Sequence, residues 1–139
     1  MTVTVVNAQR TAPVPTARLA RLARQALHRL GIAKRGAFEI TFLDARRMRQ
    51  LNRRFLRHDR TTDVLCFRYD GEPVVGEMFV APSVARAYAR RHGLSYQQEL
   101  ARYVIHGLLH WTGLNDRTPT QQRMMRGRED RLLERCRVR

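Results

Sequence analysis

The stretch from Ser95 to Asp116, SYQQELARYVIHGLLHWTGLND, constrains the fold more than any other part of the chain. Ser95 is a residue type that caps a helix N-terminus, and Leu100, Val104, Leu108 and Trp111 recur at the spacing of one helical face. Gly113 supplies the stop, because glycine takes the left-handed conformation of a helix end without strain. A helix here places His106 and His110, four residues apart, one turn above the other on a common face. The turn at Gly113 then brings Asp116 back toward them.

Two imidazoles and one carboxylate suit Zn2+, while nickel and iron accept the same donors. Three protein ligands also leave a fourth position open to water, which is how catalytic zinc differs from structural zinc. Taken alone, an HxxxH pair is more often two partly buried histidines in ordinary hydrogen bonds. The glycine stop and the acid three residues beyond it favour one zinc ion on His106, His110 and Asp116. In HExxH proteases the glutamate after the first histidine is the general base. Gly107 stands at that position, so a conventional peptidase mechanism lacks its proton acceptor. A bound metal still lowers the pKa of a coordinated water toward ~7 and polarises a phosphoryl or carbonyl oxygen.

Around this helix the sequence predicts an α+β domain spanning 1–139, with a small mixed sheet of about four strands and about five helices. TVTVVN at 2–7 and AFEITFL at 37–43 carry strand-type residues, the second alternating Phe38, Ile40 and Phe42 against Glu39 and Thr41. DVLCF and VVGEMFV flank a DGEP turn and are predicted sheet neighbours. A helix capped by Thr16 and closed by Gly31 carries Leu19, Leu22, Ala23, Ala26, Leu27 and Leu30 on one face. Asp44 caps a second helix that turns Met48, Leu51 and Phe55 inward. A third opens at Pro82–Ser83 and ends at His92–Gly93, and the last begins after Pro119 and carries Met124, Met125, Leu132 and Leu133.

Charge points to the partner. The chain has 27 Lys+Arg against 12 Asp+Glu, a net +15, which favours a polyanion such as nucleic acid. Lys34 is the only lysine, so some of the arginine content reflects codon bias, yet those arginines create the same field. The 43% hydrophobic content is that of a folded protein, and no apolar run reaches the roughly 18 residues of a membrane span. MTVTVVNAQR lacks the pattern of a secretory signal, so the expected location is the cytoplasm, with no membrane partner. Cys66 and Cys136 form no CxxC and are expected to be small hydrophobes.

The segment HGLLHWTGLND, His106 to Asp116, resembles the zinc-helix signature HGxLHLxGYDH of the YbeY endoribonucleases. Leu51-Asn52 and Thr62-Asp63-Val64-Leu65-Cys66-Phe67 are similar to that family's LNxxyRgkdxpTDVLSF stretch. GEMFV at Gly76 to Val80 is similar to its GDxxI strand, and Met125 with Glu129 fits its MxxxE spacing. Two positions depart: Asp116 stands where most members have histidine, and the family's arginine falls on Leu56, with Arg57 next.

The resemblance implies a single-strand-specific, zinc-dependent endoribonuclease that matures the 3′ end of 16S ribosomal RNA and takes part in ribosome quality control. Its implied partners are single-stranded RNA, ribosomal RNA and the small ribosomal subunit. Two residues are candidates for catalysis. Arg57, with His58 and Asp59 nearby, is expected to meet the scissile phosphate, and Glu77 to orient a ligand histidine or shuttle a proton. The bland readings are a solvated basic loop and an exposed strand glutamate. Asp63 is expected to bond locally, Glu129 and Asp130 to form helix-surface ion pairs, Trp111 to be core, and His28 and His92 to lie on the surface. A zinc peptidase and a non-catalytic zinc-containing ribosome assembly factor are the alternatives.

Overall fold

Strand alternation sets the centre of the sheet. In β2 (Ala37–Phe42) the side chains of Phe38, Ile40 and Phe42 are fully buried, so this strand needs a neighbour on each side and a helical layer beneath. The neighbours are β1 (Thr2–Asn7) and β4 (Val75–Val80), both parallel to it, with Val3 opposite Phe38 and Ile40 opposite Met78. β3 (Val64–Tyr69) runs antiparallel on the outer side of β4, giving the order β1-β2-β4-β3. The computed structural model describes residues 1–32, 35–56, 64–69 and 75–136. The expected DGEP turn lies outside the described residues, but the antiparallel pairing of the two strands beside it is observed.

Parallel β1 and β2 cannot be joined by a hairpin, and α1 (Thr16–Arg29) makes the crossover, burying Leu19, Leu22, Ala23, Ala26 and Leu27. α2 (Ala45–Leu51) starts where the Asp44 carboxylate accepts from the Arg47 backbone N–H at 2.8 Å, a cap worth about 1 kcal/mol. After β4 come α3 (Pro82–His92), α4 (Tyr96–Trp111) and α5 (Pro119–Arg135). Among the described residues the architecture is thus α+β: a four-stranded mixed sheet with five α-helices.

α4 is the hub, packing on α1, α3, α5 and the β3–β4 side of the sheet. Leu100, Val104, Ile105, Leu108 and Leu109 are fully buried, and each such side chain contributes about 1.5–3 kcal/mol. Tertiary packing on this scale, rather than helix propensity, holds α4 in place. A second apolar cluster of Met48, Leu65 and Ala81, with Leu51, Phe67 and Phe79 against it, lies on the other face of the sheet.

Local expectations fail in four places. Pro15, not Thr16, precedes the first turn of α1, with no side-chain cap. α2 widens into a π-helical turn over Asn52–Leu56, which takes Phe55 off the Met48–Leu51 line. Phe55 is half exposed and rests edge-on against Phe67, ring centroids 5.2 Å apart. In α5 the cap is Thr118 in a reciprocal box with Gln121, Pro119 is already helical, and Met124 faces solvent while Met125 is buried.

Candidate metal centre

His106 and His110 leave α4 from one face, and their rings meet at 78°, centroids 4.5 Å apart. Ser95 fixes the start of the helix, its hydroxyl accepting from the Gln98 N–H. Gly113, at φ 108°, lets the chain reverse after Trp111, and its N–H donates to the His110 carbonyl. The reversal delivers Asp116. One carboxylate oxygen lies 3.3 Å from Nε2 of His110 and the other 3.6 Å from Nε2 of His106.

These separations test whether a metal fits. A direct charge-assisted hydrogen bond would close to about 2.7–2.9 Å. Ligands about 2.0–2.1 Å from one tetrahedral ion stand roughly 3.3–3.5 Å from one another. The three donor atoms lie within 4.8 Å of one another, and this is the only such group of three among the described residues. All three side chains are partly exposed, so solvent and substrate reach them.

Glu129 completes the arrangement. From α5 it places one carboxylate oxygen 2.5 Å from Nδ1 of His106 and accepts with the other from Arg102 at 2.9 Å. A carboxylate on Nδ1 fixes the tautomer that presents Nε2 as ligand and makes the ring a better donor. Arg102 also donates to Asp130 at 2.6 Å. Burial alone would lower the guanidinium's pKa, but the carboxylates of Asp130 and Glu129 outweigh it and raise the value. Glu129 is only 5% exposed, so the expected helix-surface pair is in fact a buried link from α5 to the candidate ligand. The sequence signal was present, since an acid on a basic amphipathic helix at the buried Met125 + 4 position faces inward.

Gly107 is explained by packing. A Cβ there would collide with Sδ of Met78 and stand 2.8 Å from Cγ1 of Val64. Helix and sheet touch backbone-close between the two histidines, where no glutamate fits. β3 fastens the same helix: the Cys66 thiol donates to the Gly107 carbonyl at 3.2 Å, and Arg68 donates to the Trp111 carbonyl at 3.1 Å. The Arg68 guanidinium also lies 4.9 Å from the Trp111 ring centroid, a cation–π contact at a helix C-terminus that favours positive charge. Trp111 is core, edge-on to Phe38 at 4.9 Å.

Glu77 is not brought to the three ligands. Its neighbours Gly76 and Met78 face α4, and strand alternation sends Glu77 to the opposite side of the sheet. There its carboxylate accepts from the Tyr69 hydroxyl at 2.8 Å. Arg57, His58, Asp59 and Asp63 lie outside the described residues; the π-helical turn ends immediately before Arg57. Cys136 is buried, which raises its thiol pKa, and Cys66 is half-buried.

The family model described as Endoribonuclease YbeY matches residues 4–137. The chain belongs to the YbeY family. Among curated relatives, the Endoribonuclease YbeY of Chlorobium phaeovibrioides is 37% identical over 134 residues, 96% of this chain and 89% of that one. The Endoribonuclease YbeY of Chlorobaculum parvum is 39% identical over 105 residues, 75% of this chain and 74% of the relative. The solution structure of TM1509 from Thermotoga maritima matches with a TM-score of 0.66 at 23% identity, covering 96% of this chain and 88% of that one. That likeness shows a shared fold. Among the described residues no helix is long and apolar enough to cross a membrane.

Proposed function

We propose that this YbeY-family chain is a zinc-dependent endoribonuclease that cuts single-stranded RNA, acting as one domain on the 3′ end of 16S ribosomal RNA in ribosome maturation and quality control. The observation that carries the reading is the convergence of His106, His110 and Asp116, with donor atoms within 4.8 Å, on a partly exposed helix face. Relatives named as endoribonucleases and a net charge of +15 both support RNA as substrate.

In this reading His106 and His110 give Nε2 and Asp116 a carboxylate to one divalent cation, which supplies Lewis acidity toward a phosphoryl oxygen and toward water. Glu129 keeps His106 in the ligating tautomer. Arg57 binds the scissile phosphate, because a guanidinium meets two phosphate oxygens at once and steadies charge that develops there. An unpaired strand suits this chemistry, since its backbone bends for in-line displacement. The peptidase alternative is disfavoured by the close packing at Gly107, which leaves no room for a glutamate base.

The experiment is cleavage of a labelled single-stranded RNA beside an unstructured peptide, by the wild-type protein, by His106→Ala, and after chelation and zinc return. RNA cleavage that stops with chelator and with the variant supports the reading. Peptide cleavage alone assigns the peptidase, and zinc binding without cleavage of either assigns the assembly factor.

A further inference from the structure

Beside the candidate ligands, between α3, α4 and α5, lies a cavity of about 420 Å³ that shares His106 and Asp116 with the metal centre. This volume is within the roughly 300–1,000 Å³ of small-molecule sites. Its least expected lining residue is Glu99, in the first turn of α4. Glu99 is 7% exposed, yet its carboxylate has no hydrogen-bond or ion-pair partner among the described residues. Glu99 lines the cavity, and an acceptor facing a cavity with no donor beside it marks a place where a ligand brings one.

The chemistry of that ligand follows from the lining. Tyr88 from α3 and Tyr103 from α4 give aromatic surface, and Arg126 from α5 stands exposed at the rim. The carboxylates of Glu99, Glu129 and Asp116 disfavour a second phosphate inside. Arg102, the other cation there, is already bonded to Glu129 and Asp130. A flat, uncharged ring with N–H groups on its edge fits better, and single-stranded RNA offers such rings for stacking and edge recognition. Glu99 precedes His106 by seven residues, about 10 Å along the helix, a span one nucleotide bridges from its phosphate to the far edge of its base.

Resting on the endoribonuclease reading, we propose that this cavity is a base-recognition pocket for the nucleotide beside the scissile phosphate, and that Glu99 selects guanine. Guanine alone among the four bases presents two adjacent donors, N1–H and the N2 amino group, which one carboxylate accepts side by side. Adenine and cytosine set a ring lone pair beside their amino group, and uracil flanks its single N–H with carbonyls. Either arrangement turns an acceptor toward Glu99.

The test titrates the zinc-loaded protein with guanosine, inosine, adenosine and cytidine 5′-monophosphates, which share a phosphate and differ in the base. Guanosine monophosphate is expected to bind about ten to a hundred times more tightly than the adenosine and cytidine forms, the discrimination a bidentate base contact supplies, with inosine monophosphate between them. Glu99→Gln, which keeps the shape of the side chain, is expected to retain zinc and to bring the four within about threefold of one another. Equal binding of all four by the wild-type protein, or a guanine preference that survives Glu99→Gln, overturns the proposal. Cleavage of single-stranded RNA is scored separately. Selective binding without cleavage leaves the pocket standing and removes the endoribonuclease reading. Cleavage with indiscriminate nucleotide binding does the reverse.

Discussion

Glu129 and His106 lie 23 residues apart in sequence and 2.5 Å apart in space, joined through Nδ1 of the imidazole. The contact ties α5 to α4 at the point where a ligand must be aimed. Replacing Glu129 by Gln removes the charge while keeping the shape, and Arg102 keeps its bond to Asp130. Loss of such an outer partner lowers metal affinity about 10–100-fold. Competition of the purified variant against a zinc chelator measures this directly. Unchanged affinity would assign Glu129 to holding the two helices together and nothing more.

Gly107 makes a different prediction, because its role is spatial. Gly107→Ala pushes its Cβ into buried Met78 and half-buried Val64 and is expected to destabilise the fold by about 1–3 kcal/mol, the usual range for overpacking. Urea unfolding of the two proteins checks it. An equally stable variant would show that the helix–sheet contact at Gly107 gives way without cost.

On the far face of the sheet, the bond and charge of Glu77 together with partial burial raise the pKa of Tyr69, the hydrogen bond being the largest cause. The unfolded phenol keeps its ordinary value of 10.0. Stability from this pair is therefore fully present below pH 10 and is lost as pH climbs through the raised folded value. Glu77→Gln should move the Tyr69 titration back toward 10.0, read from tyrosinate absorbance against Tyr69→Phe, and leave zinc affinity as in the wild type. A fall in zinc affinity would place Glu77 at the metal after all.

For Arg57 the expectation separates binding from chemistry. Arg57→Ala should retain zinc and lose about 10²–10³ in cleavage rate, the effect of removing one donor to developing charge. Cleavage at the wild-type rate would leave the residue a solvated loop arginine.

The parts legible in the sequence are those written locally. Asp44, Ser95, Gly93 and Gly113 each mark a helix end through a side chain or a backbone conformation that one residue supplies, and each is found in that role. His106, His110 and Asp116 were legible because helix geometry and one turn relate them. The strand order β1-β2-β4-β3 was not, since which strands pair in parallel depends on crossovers that hydropathy does not encode. Phe55 misled because a 3.6-residue period cannot anticipate a π turn. The inward placement of Glu129 is legible from its spacing to Met125, but the roles of Glu129 and Glu99 are not, because each depends on helices that meet only in the folded chain.

On the proposed reading, two imidazoles of α4 and the carboxylate behind it hold one divalent ion with a vacant corner. X-ray absorption at the zinc edge of the zinc-loaded protein reads that ligand set, with Asp116→Ala measured beside it. The expected spectrum shows nitrogen and oxygen neighbours at about 2.0–2.1 Å, the scattering signature of two histidine rings, and an altered shell in the variant. A sulfur shell near 2.3 Å, or a spectrum that Asp116→Ala leaves unchanged, would contradict it.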